Sequence, residues 1–89
     1  MPYPFLHVES VQYLGGHRLA LSFTDGTESE VDLRAELDGP VFAPLRDETA
    51  FAEAYVDLET RTVTWPNGAD FAPEFLKEVG RPAATVGAR

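Results

Sequence analysis

Eighty-nine residues, 44% of them hydrophobic and 11% aromatic, fit one small globular domain and exclude a disordered chain. Seven Lys and Arg stand against fifteen Asp and Glu, a net charge of −8. That balance, with the basic residues scattered singly, sets an expectation that the chain by itself holds neither nucleic acid nor an anionic membrane.

Residues 5–14 read as a first strand with mixed parity: Leu6 and Val8 fall on one side, Val11 and Tyr13 on the other. A strict strand keeps one parity, so a bulge is expected between Val8 and Val11. Gly15-Gly16 then turns the chain. Residues 18–24 and 27–33 alternate apolar and polar around Asp25-Gly26, the pattern of a β-hairpin. A two-residue loop would set Phe23 opposite Glu28 and Leu21 opposite Glu30, placing carboxylates on the apolar face. A three-residue loop, Thr24-Asp25-Gly26, pairs Phe23 with Thr27 and Leu19 with Val31 instead. Burying unpaired carboxylates costs several kcal/mol, roughly, so the odd-length loop is expected. It gathers Leu19, Leu21, Phe23, Val31 and Leu33 inward, and Glu28, Glu30 and Asp32 outward with Arg18, Ala20 and Ser22.

A short helical stretch at Arg34 to Leu37 ends at Gly39-Pro40, with Val41, Phe42 and Leu45 as apolar anchors. Asp47 is placed to cap a helix running to about Ala54. Residues 55–58 and 62–65 suggest a second hairpin, with Leu58 opposite Val63 and Val56 opposite Trp65. Pro66-Asn67-Gly68 is a turn. The last helix starts at Pro73, places Phe71, Phe75, Leu76 and Val79 on one face, and stops at Gly80. The expectation is an α+β fold: a small, mainly antiparallel sheet of about five strands, two β-hairpins among them, with two short helices packed on one face. Residues 1–80 form the single domain and 81–89 a flexible tail. The core expected from these patterns is Leu19, Leu21, Phe23, Val31, Leu33, Phe42, Leu45, Phe51, Val56, Leu58, Val63, Trp65, Phe71, Phe75 and Leu76.

Taken in order, His17 to Gly26, Val31-Asp32-Leu33, Val41 to Leu45, residues 51–57 and Thr64 to Glu74 form a recognisable series. With Trp65-Pro66-Asn67-Gly68, Asp70 and Pro73-Glu74 after an Asp-Gly hairpin, the chain resembles the bacterial domain-of-unknown-function 2442 family over about residues 6–79. The resemblance implies a small α+β fold and supplies no catalytic residue. Some members continue into a helix-turn-helix domain, and others sit in a toxin–antitoxin-like arrangement. This sequence ends soon after its last helix, so the expectation is that the DNA-regulator role does not carry over.

Few residues suggest chemistry. Residues 25–38 hold six acids and one base, and Glu28, Glu30 and Asp32 form a candidate face for a basic partner. The same stripe serves equally as a solvated strand face that discourages edge pairing. Trp65, Asn67, Gly68 and Asp70 form a candidate binding turn, each also explained as core filler, turn former or backbone acceptor. Cysteine is absent, which excludes disulfides and thiolate chemistry, and no Ser stands in a nucleophile motif. His7 with Glu9, at i and i+2, and the clustered carboxylates are all that a metal- or ligand-binding enzyme would have to use. No catalytic, cofactor or metal residue is therefore expected. No apolar run reaches the length of a membrane span or signal segment, so a cytoplasmic location is expected. The leading reading is a non-enzymatic protein-interaction module, antitoxin-like, with a small basic protein as partner. The alternatives are the metal- or ligand-binding protein on His7 and Glu9, and a homo-oligomeric scaffold pairing through a strand edge.

Overall fold

The structure, a computed structural model, describes residues 6–82. Phe5, placed in the first strand by the sequence, and residues 83–89 of the expected tail lie outside the described residues. Strands β1 (Val8–Gly15), β2 (Arg18–Phe23) and β3 (Glu28–Asp32) form an antiparallel meander. Strand β4 (Tyr55–Val56) pairs with β5 (Val63–Thr64) as a separate two-stranded sheet. Strand β6 (Arg81–Pro82) closes the main sheet in the order β1-β2-β3-β6. The helices are α1 (Gly39–Phe42), α2 (Glu48–Phe51) and α3 (Pro73–Val79), with 3-10 turns at Arg34–Glu36 and Ala43–Arg46. The fold is α+β and antiparallel, as the sequence patterns require.

The register of the Asp-Gly hairpin is the odd-length one. Leu19 faces Val31 and Leu21 faces Ser29, while Phe23 N–H donates to Thr27 O at 2.9 Å. Gly26 takes the left-handed conformation that the loop demands, with φ of 87°. Leu19, Leu21, Phe23, Val31 and Leu33 are all buried beneath the sheet. The expected irregularity in β1 is present between Val8 and Ser10, and a second lies between Tyr13 and Gly15.

Seven rings thread the interior. Phe51 meets Tyr13, His17 and Trp65, and Trp65 meets Phe71, which stacks on Phe42 at 4.6 Å and on Phe75 at 5.3 Å. Trp65 is fully buried and its indole N–H donates to the Phe51 carbonyl at 2.9 Å. This bond satisfies the one polar atom that a buried indole carries.

Four expectations need correction. The second hairpin is shifted by two residues: Val56 faces Val63 and Tyr55 faces Thr64. Asp57 causes the shift, because its carboxylate accepts from Glu59 N–H at 2.7 Å and draws residues 57–62 into a loop. Leu58 consequently leaves the core and is 87% exposed. The helix capped by Asp47, which accepts from Thr49 N–H, ends at Phe51 rather than near Ala54. Val79 is exposed instead of sharing the buried face of α3. The tail expected from residue 81 begins with two paired residues, since Arg81 faces Glu30 and Pro82 faces Ser29. Core members that the patterns missed are Val8, Leu37, Ala69 and His17.

Because Leu58 packs against little, Leu58→Ser should change stability by less than about 0.5 kcal/mol, as surface substitutions do. Urea denaturation of both proteins checks this; a loss of more than about 1 kcal/mol would return Leu58 to the core.

Candidate functional site

The sheet has one covered and one open face. Inward residues of β2 and β3 are apolar apart from the small Ser29, and the outward set is left to solvent. Ser10, Ala20 and Ser22 form a floor without bulky side chains, with Ser10 Oγ and Ser22 Oγ 2.6 Å apart. Glu28 is opposite Ser22, Glu30 opposite Ala20, and Asp32 opposite Arg18. The three acids therefore share this face. Glu30 forms an ion pair with Arg18 at 2.9 Å, and Asp32 accepts from Arg34 N–H at 3.0 Å. Glu28 projects to solvent.

The Trp65 turn is built differently. Gly68, with φ of 90°, lets its N–H reach Trp65 O, while Ala69 O accepts from Trp65 N–H. Asn67 bridges two segments: its Oδ1 accepts from Ala69 N–H at 3.0 Å, and its Nδ2 donates to Val41 O on α1 at 2.9 Å. Asp70 is exposed, and its backbone bridges to Thr64. Both side-chain polar atoms of Asn67 are thus engaged within the fold. Asn67→Ala should lower stability by about 1–2 kcal/mol through loss of both bonds. Thermal or urea unfolding checks it, and an unchanged midpoint would free Asn67 for a role outside the fold.

His7 and Glu9 do not converge with a third ligand. His7 N–H donates to Thr24 Oγ1 at 3.0 Å, and Glu9 is exposed. Among the described residues, no three His, Cys, Asp or Glu side chains gather closely enough to hold a metal ion. Nor is any helix among them long and apolar enough to cross a membrane.

Sequence reasoning missed a polar cluster at the turn between β1 and β2. The central residues of that turn are Gly16 and His17, one position later than Gly15-Gly16 alone would suggest. Both have φ of 63°, the mirror-image turn that suits a tight hairpin. Glycine tolerates this; histidine pays strain of about 1 kcal/mol or more. The buried imbalance is made good by tertiary contacts. His17 is 7% exposed, its ring lies edge-on to Phe51 at 5.0 Å, and Nε2 stands 2.8 Å from the Arg46 carbonyl. A carbonyl only accepts, so Nε2 carries the proton, and Nδ1 is left buried with no partner among the described residues.

Glu48 reaches back from α2 to the same turn. One carboxylate oxygen accepts from Tyr13 Oη at 2.8 Å and from Gly16 N–H at 3.3 Å. The Tyr13 hydroxyl bond first, then the Gly16 amide, and last the Arg34 charge hold its pKa below the usual carboxylate range, against an opposing effect of desolvation. The same bond, first among the causes, raises Tyr13 above the usual phenol range. A Cβ on Gly16 would stand 3.9 Å from both Arg18 Nε and Arg34 Nη2. Two arginines that are sixteen residues apart in the chain therefore meet at one turn. Gly15 faces Arg18, which centres the turn on Gly16-His17, and the register shift between Tyr13 and Gly15 hides this centre from the parity of the flanking strands.

At the other hairpin tip, Asp25 accepts from Lys77 on α3 and from Thr27. The Lys77 bond first, and the Thr27 bonds after it, pull the Asp25 pKa from 3.8 down to about 2. An acid depressed on folding stabilises fully above its unfolded value and loses that effect as pH falls through the folded value. The contribution of Asp25 should therefore fade between about pH 4 and pH 2. Asp25→Asn should flatten that part of the acid limb in a pH series of urea midpoints. An unchanged slope would mean that the Lys77 contact adds nothing.

A family model described as "Protein of unknown function (DUF2442)" matches residues 8–81, the family that the hairpin and Trp65 strings resemble. No curated protein matches the chain. Among solved structures, the chain is similar to the "Putative DNA Binding Protein NE0471" of Nitrosomonas europaea, with 26% identity and a TM-score of 0.75. The match covers 89% of this chain and 51% of that one, so the chain spans about half the length of its structural relative. This likeness corrects the expectation that the chain by itself holds no nucleic acid. Net charge sums over the whole surface, whereas phosphate contact is local. Arg18 and Arg34, single in the sequence, illustrate how folding gathers what the chain scatters.

Proposed function

The chain belongs to the DUF2442 family of unknown function, and we propose that it acts there as a non-enzymatic protein-interaction module. Its binding face is the open side of the sheet, and its partner is a small basic protein, in an antitoxin-like pairing. The observation that carries this reading is the register: Glu28, Glu30 and Asp32 share one uncovered face over a floor of small side chains. Such a floor admits a helix or strand closely, and the acids steer a cationic partner toward it. Arg18 already neutralises Glu30, so Glu28 and Asp32 carry most of the steering.

The test is recovery of a stoichiometric partner from the native host, followed by a salt titration. Binding should weaken as salt rises, because exposed charges act through a screened field. Glu28→Lys with Asp32→Lys should slow association by about tenfold or more and leave folding intact. Recovery of no partner, or binding indifferent to salt and to both substitutions, would overturn the reading.

A second reading, association with DNA, is favoured by the name of the Nitrosomonas protein. A mobility-shift titration with duplex DNA at two salt concentrations decides it: a salt-dependent shift supports it, and no shift at low salt removes it.

A further inference from the structure

The turn between β1 and β2 holds an unusual combination. A left-handed, non-glycine residue, His17, is kept at a buried position where one ring nitrogen finds no partner. At the same turn, Gly16 N–H and Tyr13 Oη both donate to a single anionic group, the Glu48 carboxylate, and the Arg34 guanidinium comes within 3.9 Å of where a Cβ on Gly16 would stand. Arg34 has no carboxylate within ion-pair distance among the described residues, unlike Arg18 and Arg46. Backbone strain at a non-glycine residue and donors that converge on one exposed carboxylate are features that accompany ligand sites.

We propose that this turn is an oxyanion site that binds a phosphate group in exchange for the Glu48 carboxylate. Carboxylate and phosphate oxygens accept the same charge-assisted bonds, and a guanidinium fits either. Glu48 occupies the site as a tethered competitor. Its side chain is exposed and begins a four-residue helix, so it can swing into solvent without disturbing the core. Gly16 N–H and the Tyr13 hydroxyl then turn to phosphate oxygens, and Arg34 supplies the charge. Oxygen acceptors from a free phosphate, a phosphate ester or a nucleic-acid strand are equivalent at this point. The site lies at the end of the hairpin and does not depend on the acidic sheet face.

Amide NMR titration tests it, with inorganic phosphate and a decathymidylate as separate probes. The wild type should show weak, saturable shifts at Gly16 and His17. Glu48→Ala should tighten phosphate binding by about tenfold, since a tethered group competes at millimolar effective concentration or above. Adding Arg34→Ala should weaken it by about tenfold or more. Glu48→Gln, which keeps a neutral side chain of equal size, guards against a folding defect, and amide dispersion reports the fold directly. Tighter binding of the decathymidylate than of phosphate would assign a nucleic-acid strand as the source; response to phosphate alone would assign a small phosphorylated ligand. Folded Glu48→Ala and Glu48→Gln without saturable shifts at Gly16 and His17 would overturn the proposal, as would shifts unaffected by Arg34→Ala. Loss of partner binding by Glu28→Lys alone, a residue that touches none of these groups, leaves this result untouched.

Discussion

Trp65→Ala should cost about 3–5 kcal/mol, enough to leave a domain of this size largely unfolded at room temperature. The indole is fully buried and lies between Phe51 at 5.4 Å and Phe71 at 5.9 Å. Removing it opens a cavity at the junction of the two sheets' connections, and it breaks the chain of rings that runs from Tyr13 to Phe75. The Phe51 carbonyl also loses its indole donor. Trp65→Phe keeps most of the volume while removing the N–H and part of the fused ring. Its cost should be smaller, about 1–2 kcal/mol, from one lost hydrogen bond and a small gap, because the Phe51 carbonyl still accepts from Ala54 N–H at 3.2 Å. Far-UV circular dichroism against urea measures both variants without relying on tryptophan fluorescence. A Trp65→Ala protein with a wild-type midpoint would show that the rings do not act as one core.

The second large effect is expected at Gly80, where a glycine serves space rather than backbone freedom. Its φ is −80°, an angle open to any residue. A Cβ there would stand 2.7 Å from Val31 Cγ1, 3.0 Å from Leu76 O and 3.1 Å from Ser29 Cβ. The end of α3 thus lies directly on β3, close enough for β6 to pair with that strand. Gly80→Ala should destabilise by about 1–3 kcal/mol through overpacking. Val31→Ala removes the nearest of the three atoms, so the double variant should be less destabilised than the sum of the two single changes. Strict additivity in that cycle would mean that α3 shifts away and the contact with Val31 is not what limits the position.

What could be read in the sequence depended on whether one side chain penalised the wrong answer. The Asp-Gly hairpin was legible because the competing loop would have buried Glu28 and Glu30, and β1 advertised its bulge through the parity of Val8 and Val11. The common face of Glu28, Glu30 and Asp32 followed from the same register. In the second hairpin a slip of two residues keeps the apolar face intact, so Leu58 and Val56 compete as partners of Val63 on equal terms. The decision falls to Asp57, whose hydrogen bond to Glu59 starts the loop early. The Tyr13, His17 and Glu48 cluster was out of reach for another reason. Its pieces come from β1, the turn and α2, and the position of His17 is fixed by the carbonyl of Arg46, which no periodicity announces. Gly80 was read as a helix stop, and it is one, but its close neighbours on β3 are visible only after folding.

The sheet order β1-β2-β3-β6 has a consequence for assembly. One rim is β1, eight residues long and paired on only one side, with Val8 N–H held by the Arg61 carbonyl at its start. At the opposite side β3 is covered at Ser29 and Glu30 by Pro82 and Arg81 of β6. Endless strand-on-strand growth requires two rims that can each accept a neighbour. Among the described residues β1 is the long rim with a free side. Two copies that paired antiparallel through β1 would use the same edge twice and meet as a closed two-fold pair, a contact that consumes the rim that made it.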